Sequence, residues 1–559
     1  MEKIQEYIHK LAPKAQFEEG GKYTTAIVEA NDLRKVAAGL KEKGFDYLMC
    51  LTGMDNQDSF GVIYHISSSK EKKEVIVLKT NTTNREEPTI PTVSDIWEIA
   101  NYYEREAYDF YGIIFVGHPD MRRLFLREDW VGYPFRKDFV ADESINPIPT
   151  KVPEPDDYET VPSYTINKDG KLERKVKSLF ENKDCIVNIG PQHPSTHGVL
   201  HLRTKLEGEI IKKIDPQFGY IHRGIEKMCE SMTYPQMLYL TERLDYLCGT
   251  MNRHALCMCV EKAAGIEVPA RAQYIRTIFD ELTRIASHLI GWACMCNDMG
   301  SITAFIYGMR DREKIMDIYE ETAGGRLMVN YYVVGGVAQD IHPNFVNRVK
   351  EFIPYMRKML KEYHILFTGN PIAAGRMKDS GFLTKEQAVA LGVTGPSGRA
   401  SGWSCDVRKI EPYAAYDKVK FDEITYNEMM SKGGNDYGRD NVLLGGTFAR
   451  YMVRLVEIEE SLRIIEQLID NIPEGDFRAK VPAIIKLPAG EYYQRVENAR
   501  GDFSVYIKST GDKNPYRVKF RSPCLSLVTA LDPMCRDQKI ADLIMISGSL
   551  DYVIPCIDR

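Results

Sequence analysis

The spacing of apolar residues along the chain predicts blocks of helix and strand. In the first 140 residues a short helical segment is followed by apolar runs typical of strands, among them 47–51 and 75–78. Helical and strand-like segments alternate throughout this part of the chain. The pattern therefore predicts a mixed α/β domain over residues 1–145.

From about residue 183 onward the pattern changes. Apolar residues recur at helical spacing over 271–299, 343–367 and 447–470, and the segments 503–508 and 518–521 have the composition of strands. The first helical segment is predicted to lie in a core because its apolar positions are Ile275, Ile278, Phe279, Leu282, Ile285, Leu289 and Trp292. The fold class predicted for the whole chain is α+β, with a small β-rich part, a helical bundle and closing strands in residues 183–559.

A proline-rich stretch separates these two parts. Its prolines alternate with acidic residues, so it can bury little apolar surface and cannot be helical. These residues are Pro147, Pro149, Pro153, Pro155, Asp156, Asp157, Glu159 and Pro162. We therefore expect a linker over residues 146–182.

Composition limits the classes of function. A chain of 559 residues is too long for one core. Its net charge of -6 argues against a nucleic-acid partner, which requires a basic face. We find no uninterrupted apolar run long enough to span a membrane, and the opening residues resemble neither a signal peptide nor a transit sequence. The expectation is an intracellular globular protein that reaches a membrane only through a partner.

The cysteine pattern predicts neither disulfides nor a metal site. The chain has 12 cysteines, and no two stand in a C-x-x-C arrangement. The pairs Cys257/Cys259 and Cys294/Cys296 lie in helical segments, where residues two apart point in different directions. We therefore expect most cysteines to be small buried apolar residues.

The segment 190–198, with the sequence GPQHPSTHG, is the first candidate for chemistry. Its glycines and prolines exclude a helix and fix the backbone around His193 and His197. The alternation that follows predicts a strand, which places His197 at a loop–strand junction. Loops held by a scaffold often carry function. The alternative is a stiff turn whose histidines only satisfy backbone groups.

Longer motifs in both halves carry a family resemblance. The first half resembles the C subunit of respiratory complex I through EREAYDFYGI at 104–113, FVGHP at 115–119 and the pair Arg122–Arg123. The second half resembles the D subunit through the 190–198 loop, GYIHRGIEK at 219–227, RLDY at 243–246, PARAQYIR at 269–276, RASG at 399–402, RVKFRSP at 517–523 and the final DR. Such a fusion is similar to one found in some bacteria.

This resemblance implies a peripheral-arm subunit of a proton-pumping NADH:quinone oxidoreductase. The D-like part would resemble the nickel-iron hydrogenase large subunit without its metal site. The chain would bind no cofactor itself. It would form a cavity for the quinone, menaquinone or ubiquinone, against the B subunit, which carries a 4Fe-4S cluster. The I, H and G subunits would be further partners, on the cytoplasmic side of the bacterial inner membrane.

The resemblance also assigns roles to individual residues. His197 and Tyr246 match the proton donors to the quinone, and Asp298 matches the carboxylate partner of the histidine. An imidazole and a phenol suit this task because a reduced quinone is basic at its oxygens. His193 is expected to shape the loop beside the quinone. From the residues alone, Tyr246 would be interpreted as a core tyrosine and Asp298 as a helix cap.

Two further positions are expected near the cluster of the B subunit. Arg223 matches an arginine whose positive charge favours the reduced cluster. After Gly325-Arg326-Leu327 the family pattern has a histidine whose protonation is linked to cluster reduction, whereas this chain has Met328.

The charged residues of the C-like part form another group. They are interpreted as an intersubunit ion-pair network, with a solvated surface as the alternative. The group consists of Glu104, Arg105, Glu106, Arg122 and Arg123.

Three alternatives remain open from the sequence. A nickel-iron hydrogenase large subunit is one, because LCGTM at 247–251 is weakly similar to the hydrogenase C-G-x-C; Met251 replaces its second cysteine, and Cys556 stands alone near the C-terminus. A relative with another electron donor such as ferredoxin is the second. The third is a scaffold without chemistry of its own, in which His197 and Tyr246 would be dispensable.

Overall fold

The computed structural model describes residues 2–18, 21–71, 73–140, 160–181, 184–192, 197–427 and 444–559. Packing divides the chain into two units. The first unit comprises Met1–Val187, Gln217–Tyr220 and Val389–Gly392. The second comprises Asn188–Pro216, Ile221–Ala388 and Val393–Arg559.

The first unit is mixed α and β. Its helices are α1 (Glu2–Leu11), α2 (Ala30–Glu42) and α3 (Ala100–Tyr111). Its strands are β1 (Gln16–Glu18), β2 (Thr24–Ile27), β3 (Tyr47–Asp55), β4 (Phe60–Ser67), β5 (Val75–Thr82), β6 (Thr89–Pro91), β7 (Ile114–Val116), β8 (Thr160–Ile166) and β9 (Leu172–Ser178). The predicted strands at 47–51 and 75–78 are confirmed as parts of β3 and β5.

A five-stranded sheet in the order β1-β2-β5-β4-β3 forms the centre of this unit. The β2–β5 pair is parallel, whereas β1–β2, β5–β4 and β4–β3 are antiparallel. Every residue of β3 and β4 is buried, so both faces of this half of the sheet are covered. Gly53 permits the close approach of α3, because a Cβ atom there would lie 2.9 Å from the ring of Tyr111.

Part of the region predicted as a linker is ordered secondary structure. Residues 146–159 lie outside the described residues, but β8 and β9 form an antiparallel hairpin that extends to Ser178. The backbone carbonyl of Pro162 in β8 accepts a hydrogen bond from Met121 N at 2.8 Å. A two-stranded sheet tolerates proline because both of its strands are edges. The prediction of a linker over residues 146–182 therefore did not include this hairpin, because Pro162 was interpreted as part of the linker.

The interpretation of the charged group in this unit was wrong. Glu104, Arg105, Glu106 and Arg122 are all buried inside the unit. Arg105 donates to the backbone carbonyls of Arg122 and Arg123 at 3.1 Å. Glu104 accepts from the backbone N–H of Val93, and burial raises its pKa to about 8. The motif showed that charged residues cluster here, but it could not show which groups they bind. Their partners lie inside the unit, so these residues stabilise the region around α3.

The β structure of the second unit lies in small sheets. One three-stranded sheet contains β10 (Cys185–Gln192), β11 (Leu200–Glu207) and β12 (Ile210–Gln217), in that order. A two-stranded sheet pairs β13 (Tyr332–Val333) with β14 (Gly336–Val337). A second three-stranded sheet contains β15 (Gly490–Asn498), β16 (Gly501–Ser509) and β17 (Arg517–Arg521). The strands predicted near 200, 503 and 518 are confirmed.

The helices of this unit surround one long central helix. They are α4 (Ile225–Cys229), α5 (Tyr234–Thr241), α6 (Gly249–Ala264), α7 (Ala270–Asp298), α8 (Ile302–Ala323), α9 (Phe345–Tyr363), α10 (Pro371–Lys378), α11 (Lys385–Ala390), α12 (Gly395–Ala400), α13 (Val407–Ile410), α14 (Thr447–Ile469), α15 (Pro523–Thr529), α16 (Leu531–Cys535), α17 (Ile540–Leu550) and α18 (Ile554–Asp558). A π-helical turn, His364–Thr368, continues α9, and a 3-10 turn covers Tyr416–Lys418.

Helix α7 is the predicted core helix, and it packs against α8, α14 and α17. Its apolar residues at 275, 278, 279, 282, 285, 289 and 292 are all buried, which confirms the prediction from helical spacing. None of the helices in the described ranges is sufficiently long and apolar to cross a membrane. The chain is thus an α+β protein with several small sheets, as predicted.

Candidate functional site

A cleft in the second unit opens between strands β10 and β11 and helices α7 and α17. The empty space in and around it, counted with the open solvent at its mouth, is about 720 Å³. Its walls are mainly apolar, and they are formed by Ile189, Gln192, His197, Leu200, Leu202, Gly291, Cys294, Asp298, Leu543, Ile544, Ser547, Gly548, Asp551 and Tyr552. A mainly apolar cleft with a few polar groups suits a weakly polar small molecule.

His197 lies on the wall of this cleft, three residues before β11. Its φ of 56° lies in the left-handed region, which few residues other than glycine adopt. Nδ1 of His197 lies 3.0 Å from the hydroxyl of Tyr246, with the two rings at 80° to each other. Either group can be the donor, depending on the tautomer of the imidazole. The structure therefore brings two predicted site residues into direct contact.

Tyr246 lies between α5 and α6 and is half-buried. Burial raises the pKa of this phenol, Asp245 raises it further, and the guanidinium groups of Arg500 and Arg312 lower it. Tyr246 is therefore a neutral donor at physiological pH. Its hydroxyl is already used by His197, so a ligand that needs both groups must replace their mutual hydrogen bond.

Asp298 is the last residue of α7 and is half-buried on the same cleft wall. A Cβ atom at Gly548 would lie 3.3 Å from Oδ2 of Asp298, which shows how closely α17 approaches this carboxylate. His197 and Asp298 thus face one cavity although 101 positions separate them in the sequence.

Asp551 is a cleft residue that sequence reasoning missed. It follows α17 with a φ of 56°, and its side chain is almost wholly buried. Arg500 donates from Nη2 to Oδ1 of Asp551 at 3.3 Å and from Nη1 to Oδ2 of Asp245 at 2.9 Å. One buried guanidinium therefore connects the cleft wall with the residue next to Tyr246. No sequence signal could have indicated this, because Arg500 and Asp551 lie in segments without a distinctive motif.

Cys248 is a buried thiol beside Asp245. Burial, reinforced by Asp245, raises the pKa of this thiol to about 12. Its sulfur lies 3.2 Å from Nη1 of Arg500, and Met251 packs beside it. Within the described ranges, no three His, Cys, Asp or Glu side chains are arranged to hold a metal ion. Ten of the 12 cysteines are buried, which confirms the prediction that most of them are small buried residues.

Of the other predicted site residues that the structure describes, Tyr246, Arg223 and Met328 are not among those that line the cleft. His193 lies outside the described residues. Arg223 is exposed and precedes α4, whereas Met328 is half-buried in the loop between α8 and β13. The backbone carbonyl of Met328 accepts from Nδ2 of Asn330 at 3.2 Å. The expected roles of Arg223 and Met328 concern a neighbouring protein of the complex and stay predictions.

Comparison with known proteins gives two family matches. The model described as the 49 Kd subunit of respiratory-chain NADH dehydrogenase matches residues 298–559. The model described as the 30 Kd subunit of the same enzyme matches residues 26–144. Each matched segment lies within one of the two parts distinguished in the sequence.

Individual relatives carry both parts in one chain. The C/D subunit of NADH-quinone oxidoreductase from Phocaeicola vulgatus is 58% identical over 92% of this chain and 96% of its own length. The Bacteroides thetaiotaomicron protein of the same name is 56% identical over 93% of this chain and 96% of its own length. The D subunit of the Desulforamulus reducens enzyme is 43% identical over 68% of this chain and 99% of its own length.

These similarities favour the oxidoreductase assignment over the hydrogenase alternative, since the relatives match along almost the whole chain. The chain belongs to the family of fused C/D subunits of NADH-quinone oxidoreductase, and it is a subunit of complex I.

Proposed function

We propose that the cleft beside His197 binds the quinone head group and that His197 and Tyr246 bracket it as proton donors. The observation that supports this most directly is the 3.0 Å hydrogen bond between Tyr246 and His197, since His197 lines the apolar cleft. In the free site each donor satisfies the other, so neither is left buried without a partner. A bound head group replaces this one hydrogen bond with two.

The proposal accounts for charge and protons. A quinone that accepts two electrons takes up two protons, and each carbonyl oxygen becomes a hydroxyl. The electrons come from the adjacent B subunit, whose cluster this chain does not hold. His197 gives one proton and Tyr246 gives the other, and both are replaced from solvent through the cleft mouth. Asp298, on the same wall, stabilises the protonated imidazole of His197.

The wider setting of the chain follows the family. Other complex I subunits are its partners, and we propose that the B, I, H and G subunits are among them. We also propose a position on the cytoplasmic side of the bacterial inner membrane, with menaquinone or ubiquinone as the substrate. His193 is proposed to shape the loop that presents His197 to the head group.

We further propose that the helical part of the second unit shares its fold with the nickel-iron hydrogenase large subunit. Support comes from the surroundings of Cys248 and Cys556: burial is the main cause of the raised pKa of each thiol, Cys524 adds to it at Cys556, and Asp245 raises both further. The two ends of the D-like part therefore meet at one place. The guanidinium of Arg500 lies there, beside Asp245 and Cys248.

Replacement of Tyr246 by phenylalanine tests the quinone proposal. Tyr246→Phe removes only the hydroxyl, so the complex should assemble while NADH-driven quinone reduction falls by about 10². The loss should be largest with short-tailed quinones, which lack other binding energy. NADH oxidation with a water-soluble acceptor that bypasses the quinone reports assembly.

A matched control is Tyr239→Phe, because Tyr239 lies on α5 with 52% of its surface exposed. It should leave quinone reduction unchanged. Wild-type rate and apparent quinone affinity in Tyr246→Phe would contradict the proposal and favour a scaffold role.

A further inference from the structure

Helix α17 presents one hydroxyl to the cleft on an otherwise apolar stripe. The residues of this helix that line the cleft are Leu543, Ile544, Ser547 and Gly548, which lie on one face in two successive turns. Ser547 is half-buried, so its short side chain lies at the surface of the cleft. The motifs that carry the family resemblance do not include this serine.

The hydroxyl of Ser547 is held by a residue outside its own helix. A serine inside a helix often bonds to the backbone carbonyl four residues before it. Oγ of Ser547 instead forms a hydrogen bond with the hydroxyl of Tyr552, which also lines the cleft. Tyr552 lies beyond the end of α17 and is 3% exposed. A buried tyrosine from the next segment therefore fixes the direction of the serine hydroxyl.

This pair of hydroxyls has one hydrogen more than its mutual bond uses. Each hydroxyl carries one O–H donor, and a single hydrogen bond joins the two. Within the part of the chain that the structure describes, neither hydroxyl has a second hydrogen-bond partner. One O–H of the pair thus remains for a ligand.

Exposure indicates which of the two hydrogens remains. Ser547 is half-buried on the cleft wall, whereas Tyr552 is almost wholly buried. Burial also raises the pKa of the Tyr552 phenol, so this residue keeps its proton and acts only through hydrogen bonds. When Tyr552 donates to Oγ of Ser547, the O–H of the serine is left at the cleft, where a ligand can accept it.

A quinone head group has acceptors for this hydrogen. Each of its two carbonyl oxygens has two lone pairs, so one hydrogen bond each from His197 and Tyr246 does not use them all. His197 lies on the strand side of the cleft and Ser547 on α17. Donors on two different walls fix the orientation of a ring better than donors on one side. A hydroxyl also accepts, so Ser547 can bond to the carbonyl before reduction and to the quinol hydroxyl afterwards.

We propose that Ser547 is a binding residue for the quinone head group and that Tyr552 is the residue that positions it. The O–H of Ser547 donates to a carbonyl oxygen of the quinone, and the O–H of Tyr552 donates to Oγ of Ser547. The protons that are transferred still come from His197 and Tyr246. This inference rests on the quinone site proposed above.

Removal of the serine hydroxyl in the assembled complex tests the proposal. Ser547→Ala should raise the apparent KM for a short-tailed quinone about fivefold, the effect of one net hydrogen bond. The kcat should change little, because this bond is present in both the bound quinone and the transition state. Alanine is favourable in a helix, so the complex should assemble. NADH oxidation with a water-soluble acceptor reports assembly.

Replacement of Tyr552 by phenylalanine tests its positioning role. Tyr552→Phe should raise the KM by less than Ser547→Ala does, because the serine keeps its O–H but loses its fixed direction. In a Ser547→Ala background, Tyr552→Phe should cause no further rise, since no serine hydroxyl remains to be positioned. A further rise as large as that in the wild type would overturn the role of Tyr552.

Ser549→Ala is the matched control on the same helix. Ser549 is not among the residues that line the cleft. Its Oγ accepts from Nε of Arg450 at 2.8 Å and donates to the carbonyl of Ile546 at 2.6 Å. Loss of this hydroxyl should lower the thermal stability of the complex without raising the KM. An equal rise of the KM in both variants would assign the effect to the packing of α17 and overturn the proposal.

The outcomes separate the two proposals. If Tyr246→Phe is active like the wild type, the quinone site itself is wrong. If Tyr246→Phe is impaired but Ser547→Ala keeps the wild-type KM, the inference about Ser547 is overturned while the quinone site stands.

Discussion

The contact between His197 and Tyr246 joins residues 49 positions apart. Motif resemblance assigned both to one site, but it could not give their direct hydrogen bond. The bond forms because His197 adopts a left-handed backbone conformation three residues before β11 and Tyr246 lies in the turn between α5 and α6. At the scale of the residue, the resemblance could therefore predict which side chains belong to the site, but it could not predict the contact between them.

Met328 carries a prediction about the terminal cluster of the B subunit. A thioether cannot titrate, whereas the histidine of the family pattern loses its stabilising positive charge as pH rises through its pKa. We expect the cluster potential to be lower than in relatives with the histidine and to change by much less than about 60 mV per pH unit. Such a potential would suit a low-potential quinone such as menaquinone.

Redox titration at several pH values, followed by electron paramagnetic resonance, measures this slope. Met328→His is the matched variant and should restore a slope near neutrality. A full slope in the wild type would contradict the prediction and indicate another titrating group, with His222 as the first candidate. The ring of His222 lies close to the backbone carbonyl of Asp558, 2.5 Å from its Nδ1.

At the scale of the element, one glycine of α7 sets the shape of the cleft. A Cβ atom at Gly291 would lie 2.8 Å from Cγ of Asp551 and 2.9 Å from Oδ1. These distances are too short for a real contact, so the absence of a side chain lets Asp551 lie against the helix. Asp551 in turn binds Arg500. Helix α7 thus carries two of the cleft residues, Asp298 and Cys294, and a third, Asp551, packs against it.

Gly291→Ala should therefore change the shape of the cleft without destabilising helix α7. Alanine favours helix by about 1 kcal/mol over glycine, but its methyl group displaces Asp551. We expect assembly to persist while the apparent KM for quinone rises severalfold. Steady-state quinone reduction measures this.

Gly375→Ala in α10 is the control, since a Cβ atom there meets nothing within 4 Å. It should leave the apparent KM unchanged. An unchanged KM in Gly291→Ala would show that Asp551 does not shape the binding site.

At the scale of the whole molecule, the proline-rich stretch between the halves is predicted to be an adaptable tether. Limited proteolysis of the complex should cut first between Pro147 and Pro162, because this stretch can bury little apolar surface. Lys151 is the only lysine or arginine in that interval. Trypsin should therefore give fragments 1–151 and 152–559, both retained in the complex.

Lys151→Ala should remove this first cut and leave later cleavage unchanged. Primary cleavage within the first 140 residues would contradict the tether. The hairpin from Thr160 to Ser178 shortens the tether relative to the interval 146–182 predicted from composition. Its pairing depends on neighbours such as Met121, which composition cannot reveal.

The sequence by itself determined the α+β class, the long core helix, the buried cysteines and the membership in the complex I family. Apolar periodicity and contiguous motifs are local features of the chain, so they can be recognised from the sequence without a structure. Only the tertiary structure decided which charges compensate each other. Arg500 pairs with Asp245 and Asp551 across 255 and 51 positions, and the charged group around Arg105 is internal. Charge compensation depends on distance and burial in space, and neither is written in the order of the residues.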